Sequence, residues 1–89
     1  MNLYDACVTN ILLCINESLK TKKSVSFNDV TASPKCRKYS VGDIGKALEL
    51  LRRNGLVKAK SRFGCSELLE FTATGITEAG QEYLKKIRG

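Results

Sequence analysis

The sequence predicts a small α+β domain, and three observations carry that expectation. Apolar residues recur at helical spacing around 3–19, 44–51 and 79–87. They alternate with polar residues around 56–60 and return in a second apolar run at 67–71. Residues that start or stop helices stand at the borders between these segments. A chain of 89 residues, 43% hydrophobic and 27% charged, suits one domain with a modest core rather than a disordered tail.

The first helix is expected from about Leu3 to Lys20, capped by Asn2. At 100° per residue, Leu3, Tyr4, Cys7, Val8, Ile11, Leu12, Cys14, Ile15 and Leu19 fill an arc of ~180°, and Leu13 falls outside even that. A surface helix needs a stripe somewhat over ~100° wide. The surplus leaves two uses for the second face. One is a homodimer contact through Leu3, Cys7, Ile11 and Cys14; the other is central burial within the helix's own domain.

Ser24-Val25 reads as a very short strand. Ser26-Phe27-Asn28-Asp29 is a capping box with an acidic residue three positions after the serine, and Pro34 keeps the helix that follows short. Ser33 as cap with Pro34 in the first helical position is the alternative for this region. Ser40 followed by Asp43 repeats the capping signal. Ile44, Leu48 and Leu51 then share one helical face with Ala47 and Leu50 beside them, and Asn54-Gly55 supplies a left-handed stop. Gly42 and Gly45 each cost about 1 kcal/mol relative to alanine in a helix, and they leave its first turns open to close approach by another backbone.

Leu56 to Lys60 reads as a strand with Lys58 and Lys60 on one face, residues 61–66 as a turn, and Glu67 to Phe71 or Ala73 as the returning strand. Thr77 caps a last helix with Ala79, Tyr83, Leu84 and Ile87 on its inward side.

The net charge of +6 is unevenly placed. Residues 1–34 balance to zero and residues 63–89 to −1. Residues 35–62 carry nine cations (Lys35, Arg37, Lys38, Lys46, Arg52, Arg53, Lys58, Lys60, Arg62) against Asp43 and Glu49, a net +7. Such clustering suits a phosphate-rich partner better than a merely solvated surface. Arg52 and Arg53, at a helix C-terminus, are expected to answer the helix dipole and its carbonyls.

Several function classes recede. There is no histidine, no phosphate loop and no dinucleotide glycine fingerprint, so no enzyme activity and no catalytic residue is expected. The four cysteines, Cys7, Cys14, Cys36 and Cys65, include no C-x-x-C pair, so no metal site and no cofactor is expected. Cys7 and Cys14 lie about 10.5 Å apart along one helix, too far to bridge each other. A disulfide to a symmetry mate, or between Cys36 and Cys65, stays open beside buried thiols acting as small hydrophobes. No run of 18 apolar residues points to a membrane span, and no basic leader opens the chain, so the expected location is cytoplasmic.

The order of elements resembles the winged helix-turn-helix fold, a three-helix core with a two-stranded hairpin wing and a C-terminal helix. "ALELLRRNGLV" resembles the end of a recognition helix entering the first wing strand, and "TGITEAGQEYL" the exit from the wing into a closing helix. The resemblance is to small transcription regulators of bacteria, archaea and archaeal viruses; for a viral source the location becomes the host cytoplasm. It divides one domain, 1–89, into an N-terminal helix (1–20), a helix-turn-helix (26–54), a wing (56–73) and a C-terminal helix (77–88). It implies that the helix at 40–54 enters the major groove. Together with the basic segment and the wide arc of the first helix, it makes a homodimeric, sequence-specific regulator of transcription on double-stranded DNA the leading expectation. Ser40, Gly42 and Lys46 would face the bases, and Lys60, Arg62 and Phe63 would sit on the wing. Asp43 fits a cap better than a base contact. Lys35, Arg37, Lys38 and Tyr39 would touch phosphates, which position a protein without reading sequence. Two other functions stay open: a winged-helix module docking onto transcription or replication machinery, which would want an exposed apolar patch, and a nonspecific architectural DNA binder.

Overall fold

In the computed structural model, which describes residues 6–64 and 67–88, four helices pack around a three-stranded antiparallel sheet. The chain runs through α1 (Ala6–Ser18), β1 (Val25–Ser26), α2 (Phe27–Thr31), α3 (Val41–Arg53), β2 (Val57–Gly64), β3 (Glu67–Ile76) and α4 (Glu78–Arg88). No described helix is long and apolar enough to cross a membrane.

α1 is the centre of the core. Cys7, Val8, Ile11, Leu12, Cys14 and Ile15 are all buried, and Leu13 packs against the same cluster. The wide apolar arc is thus consumed inside the domain by α2, α3, α4 and β3. This corrects the dimer contact expected of Cys7, Ile11 and Cys14, because side chains already buried in their own core cannot meet a second copy. Leu3, like the Asn2 cap, lies outside the described residues.

The helix starts follow local hydrogen bonding. Asp29 N–H donates to Ser26 Oγ at 3.2 Å and Ser26 N–H to Asp29 Oδ2 at 2.9 Å, the reciprocal box that begins α2. Those bonds, with Lys22 Nζ at 3.2 Å, hold the Asp29 carboxyl below its ordinary value. Ser40 Oγ accepts from Asp43 N–H at 3.1 Å to begin α3. Gly55, at φ 69°, closes α3: its N–H donates to Arg52 O and Leu56 N–H to Leu51 O, the paired bonds of a left-handed helix end.

Thr77 joins this stop to the next helix. Its Oγ1 donates to Gly55 O at 2.5 Å and accepts from Gly80 N–H at 3.0 Å, while its own N–H reaches Leu56 O. Gly80 is the inward residue of that first turn, and a Cβ there would lie 2.1 Å from Leu56 O. Ala79, expected inward, is exposed instead. Tyr83 and Leu84 complete the buried face.

The strands outrun their expected limits. β3 lies between β1 and β2, pairing Val25 with Ala73 and Val57 with Ile76. The β2–β3 ladder continues to Gly64 opposite Glu67, so residues 61–64, expected as turn, are strand. Two register shifts, between Lys58 and Ala59 and between Arg62 and Phe63, leave Thr74 and Leu69 as extra residues of β3. These bulges break the period-two pattern that marks a strand in sequence.

Candidate nucleic-acid interface

The segment joining α2 to α3, residues 32–40, is held by alternating anchors. Cys36 is fully buried, and that burial, reinforced by the Cys14 thiol beside it, pushes its pKa up to about 12. No disulfide joins Cys7, Cys14 or Cys36; Cys65, the partner that the sequence left open for Cys36, lies outside the described residues. Tyr39 is half-buried, and its hydroxyl accepts from Asn10 Nδ2 at 2.7 Å, tying the segment to α1. Lys38 Nζ stands 5.3 Å from the Tyr39 ring centre. Tyr39 therefore anchors this segment. Lys35, Arg37 and Lys38 point into solvent from it. The chosen start of the second helix is Ser26; residues 33–39 form successive turns, closed by Cys36 N–H to Ser33 O and Tyr39 N–H to Cys36 O, rather than a helix begun at Pro34.

α3 divides sharply. Ile44, Gly45, Ala47, Leu48 and Leu51 face the core, while Val41, Gly42, Asp43 and Lys46 are exposed. The two glycines thus part company, Gly45 inward and Gly42 outward, where a Cβ would meet nothing closer than Ser40 Oγ at 4.0 Å. Ser40 is exposed, with its hydroxyl engaged in the cap.

The other end of α3 is organised by Glu49, which the sequence reading passed over. It is 8% exposed, and its carboxylate accepts from Arg52 Nε at 2.9 Å, from Arg52 Nη2, from Arg53 Nε at 3.2 Å and from Ser61 Oγ at 3.4 Å. Arg52 above all holds the Glu49 carboxyl below its ordinary value, against the opposing pull of burial. Arg52 and Arg53 stand in the last turn of α3, where they were expected to meet the helix dipole, and they pair with Glu49 as well. The three- and four-residue spacing from Glu49 to the two arginines was the available signal. The Ser61 contact, twelve residues on, fastens β2 along α3.

β2 presents Lys58, Lys60 and Arg62 on the sheet face away from the core, opposite Glu70, Thr72 and Thr74 of β3. These six residues, with Ala59 and Ser61, line a shallow concavity of about 620 Å³. Arg62 Nη2 lies 3.2 Å from Glu70 Oε1, whereas Lys58 and Lys60 form no ion pair among the described residues, and neither do Lys35, Arg37, Lys38 or Lys46. Glu70 and Thr72 also line a second concavity, which reaches Val41 at the start of α3. β3, whose Glu70 and Thr72 line both concavities, thereby stands between the lysine row and the exposed start of α3. The Phe63 side chain lies outside the described part of the structure. Among the described residues, no group of three His, Cys, Asp or Glu side chains is placed to hold a metal ion.

The family model described as "Hypothetical protein (DUF2513)" matches residues 3–89. No curated protein matches the chain. A solved structure, that of a "transcriptional regulator homologue protein from Pyrococcus horikoshii OT3", is similar to it with a TM-score of 0.61 at 21% identity, over 97% of this chain and 76% of that one. The likeness is one of fold.

Proposed function

We propose that this chain, which belongs to that family, is a single winged helix-turn-helix domain that binds double-stranded DNA sequence-specifically and regulates transcription. In this reading α2 and α3 are the helix-turn-helix pair, α3 enters the major groove, and the β2–β3 hairpin is the wing on the flanking backbone or minor groove. Lys35, Arg37 and Lys38 meet phosphates beside the α3 start. Lys60 and Arg62 do so from the hairpin. Ser40, Gly42 and Lys46 face the bases.

The observation that carries the reading is the position of the unpaired cations. Lys46 and the 35–38 segment flank the exposed first turns of α3, and Lys58 and Lys60 stand on the hairpin, none of them in an ion pair among the described residues. The likeness in fold to a transcriptional regulator homologue supports it as well.

Fluorescence anisotropy against a labelled random duplex, across a salt series, tests it. Affinity is expected to fall steeply with salt, the logarithmic slope being about 0.9 per phosphate contacted. Lys60→Ala is the sharper wing variant, since Arg62 already has Glu70, and should reduce the slope by about one. Selection from a random duplex library then separates a sequence-specific from an architectural binder. Absence of binding at low salt overturns the proposal.

A further inference from the structure

Two large apolar side chains are well exposed among the described residues, Val41 at 63% and Leu69 at 51%. The fold places both on one concavity of about 560 Å³, with half-buried Phe27, buried Phe71 and polar residues that include Glu70. Neither exposure follows from packing needs. Val41 is the first residue of α3, and Gly42 beside it leaves open space where a side chain would otherwise crowd the approach. Leu69 is the extra residue of the β3 bulge, a device that re-aims side chains, and it covers Gly64, where a Cβ would lie 2.7 Å from Leu69 Cδ1.

The surroundings decide what meets Val41. Exposed Lys35, Arg37 and Lys38 precede it in the chain and Lys46 follows it on α3, none of them in an ion pair among the described residues. The one carboxylate lining the concavity, Glu70, is answered by Arg62. Exposed Asp43 lies two residues after Val41, so the cations outnumber but do not surround the valine. Val41 and Leu69, with half-buried Phe27 and buried Phe71, still make only a small apolar part of one shallow concavity, short of the contiguous apolar patch, several hundred Å² wide, that marks a protein-docking face. They suit a surface of phosphates that displays single methyl groups. In the major groove that methyl is the C5-methyl of thymine, recognised by apolar contact.

We propose, resting on the DNA-binding reading above, that Val41 reads a thymine methyl group in the major groove, so that the preferred site of this protein carries a thymine opposite the first turn of α3. Val41 is then a specificity-determining residue, while the neighbouring lysines supply affinity without sequence.

The experiment uses the full chain and the best duplex selected from a random library. Each thymine is replaced in turn by uracil, which keeps the base-pairing groups and lacks the methyl. Wild-type protein should lose about fourfold in affinity at one position of the site, the factor that burying one methyl-sized group carries. Val41→Ala should bind thymine and uracil equally at that position. Leu69→Ala, which removes an apolar side chain from the hairpin instead, should keep the fourfold difference. Thermal melts of both variants verify the fold. Uracil tolerated at every position by the wild type overturns the proposal and leaves the concavity to a protein partner. So does a methyl effect that persists in Val41→Ala, or one lost equally in both variants. Failure to bind any duplex would instead remove the DNA-binding reading itself, a result separable from binding that ignores the methyl.

Discussion

α1 and α3 are both 13 residues long, yet they present different surfaces. α1 carries no acidic residue in its first turn and no basic residue in its last, and sinks its residues into the core on nearly every side; only Ala6 and Glu17 are exposed. α3 keeps a narrow buried face and shows solvent Val41, Gly42, Asp43 and Lys46, with Arg53 at its far end. The width of the apolar arc is what separates them. A helix that is apolar beyond a stripe can be stable only where other elements cover it, whereas an amphipathic helix can lie at the edge with one face free. The difference teaches where function can reside. A residue of α1 is committed to its neighbours; a residue on the outer face of α3 has only solvent, or a ligand, to satisfy.

The largest effect should come from breaking the buried helix. Ile11→Ala removes a fully buried side chain and should destabilise by about 2–5 kcal/mol in urea unfolding. A change confined to dimerisation, with unfolding intact, would contradict the core position of α1.

A smaller effect tests the inward end of α3. Glu49→Gln keeps the shape but removes the charge that Arg52 and Arg53 share, and should cost about 1–3 kcal/mol at pH 7. The sign with pH follows from the lowered folded-state pKa. The Glu49 contribution is complete above its ordinary value of 4.5 and is lost as pH falls from there through the folded value. Wild-type stability measured against pH should decline in that window, and the variant should decline less. Parallel curves would show that Glu49 is not the group responsible.

The smallest effect sharpens the comparison most. Gly42→Ala fills open space in an exposed helical turn, so it should stabilise the fold by up to about 1 kcal/mol. If that turn enters a groove, the same variant binds duplex DNA more weakly. Greater stability with unchanged affinity would place the contact elsewhere.

Particular elements show how far the sequence could be read. Ser26, Ser40 and Thr77 announced their helices because each cap bonds to an amide no more than three residues away. Asn54-Gly55 announced the stop for the same reason. The strands were underestimated because the bulges at Leu69 and Thr74 destroy the alternation by which a strand is recognised. The bond that anchors Tyr39 was not legible, because its partner, Asn10, comes from a helix 29 positions earlier. Val41 carried no signal at all. An isolated valine at a helix start says nothing until the fold shows that no neighbour covers it.

The sequence by itself therefore determined where α3 begins and ends and where α4 begins, the face of α3 that turns inward, and the concentration of cations between residues 35 and 62. Tertiary structure alone decided that α1 is the centre of one core and that Cys36 rests beside Cys14. It alone brought Ser61 to Glu49, and it alone set the exposed start of α3 beside the hairpin across β3. The first group rests on hydrogen bonds and periodicities that span at most a few neighbouring residues. The second rests on burial, which depends on what distant segments bring to the same place.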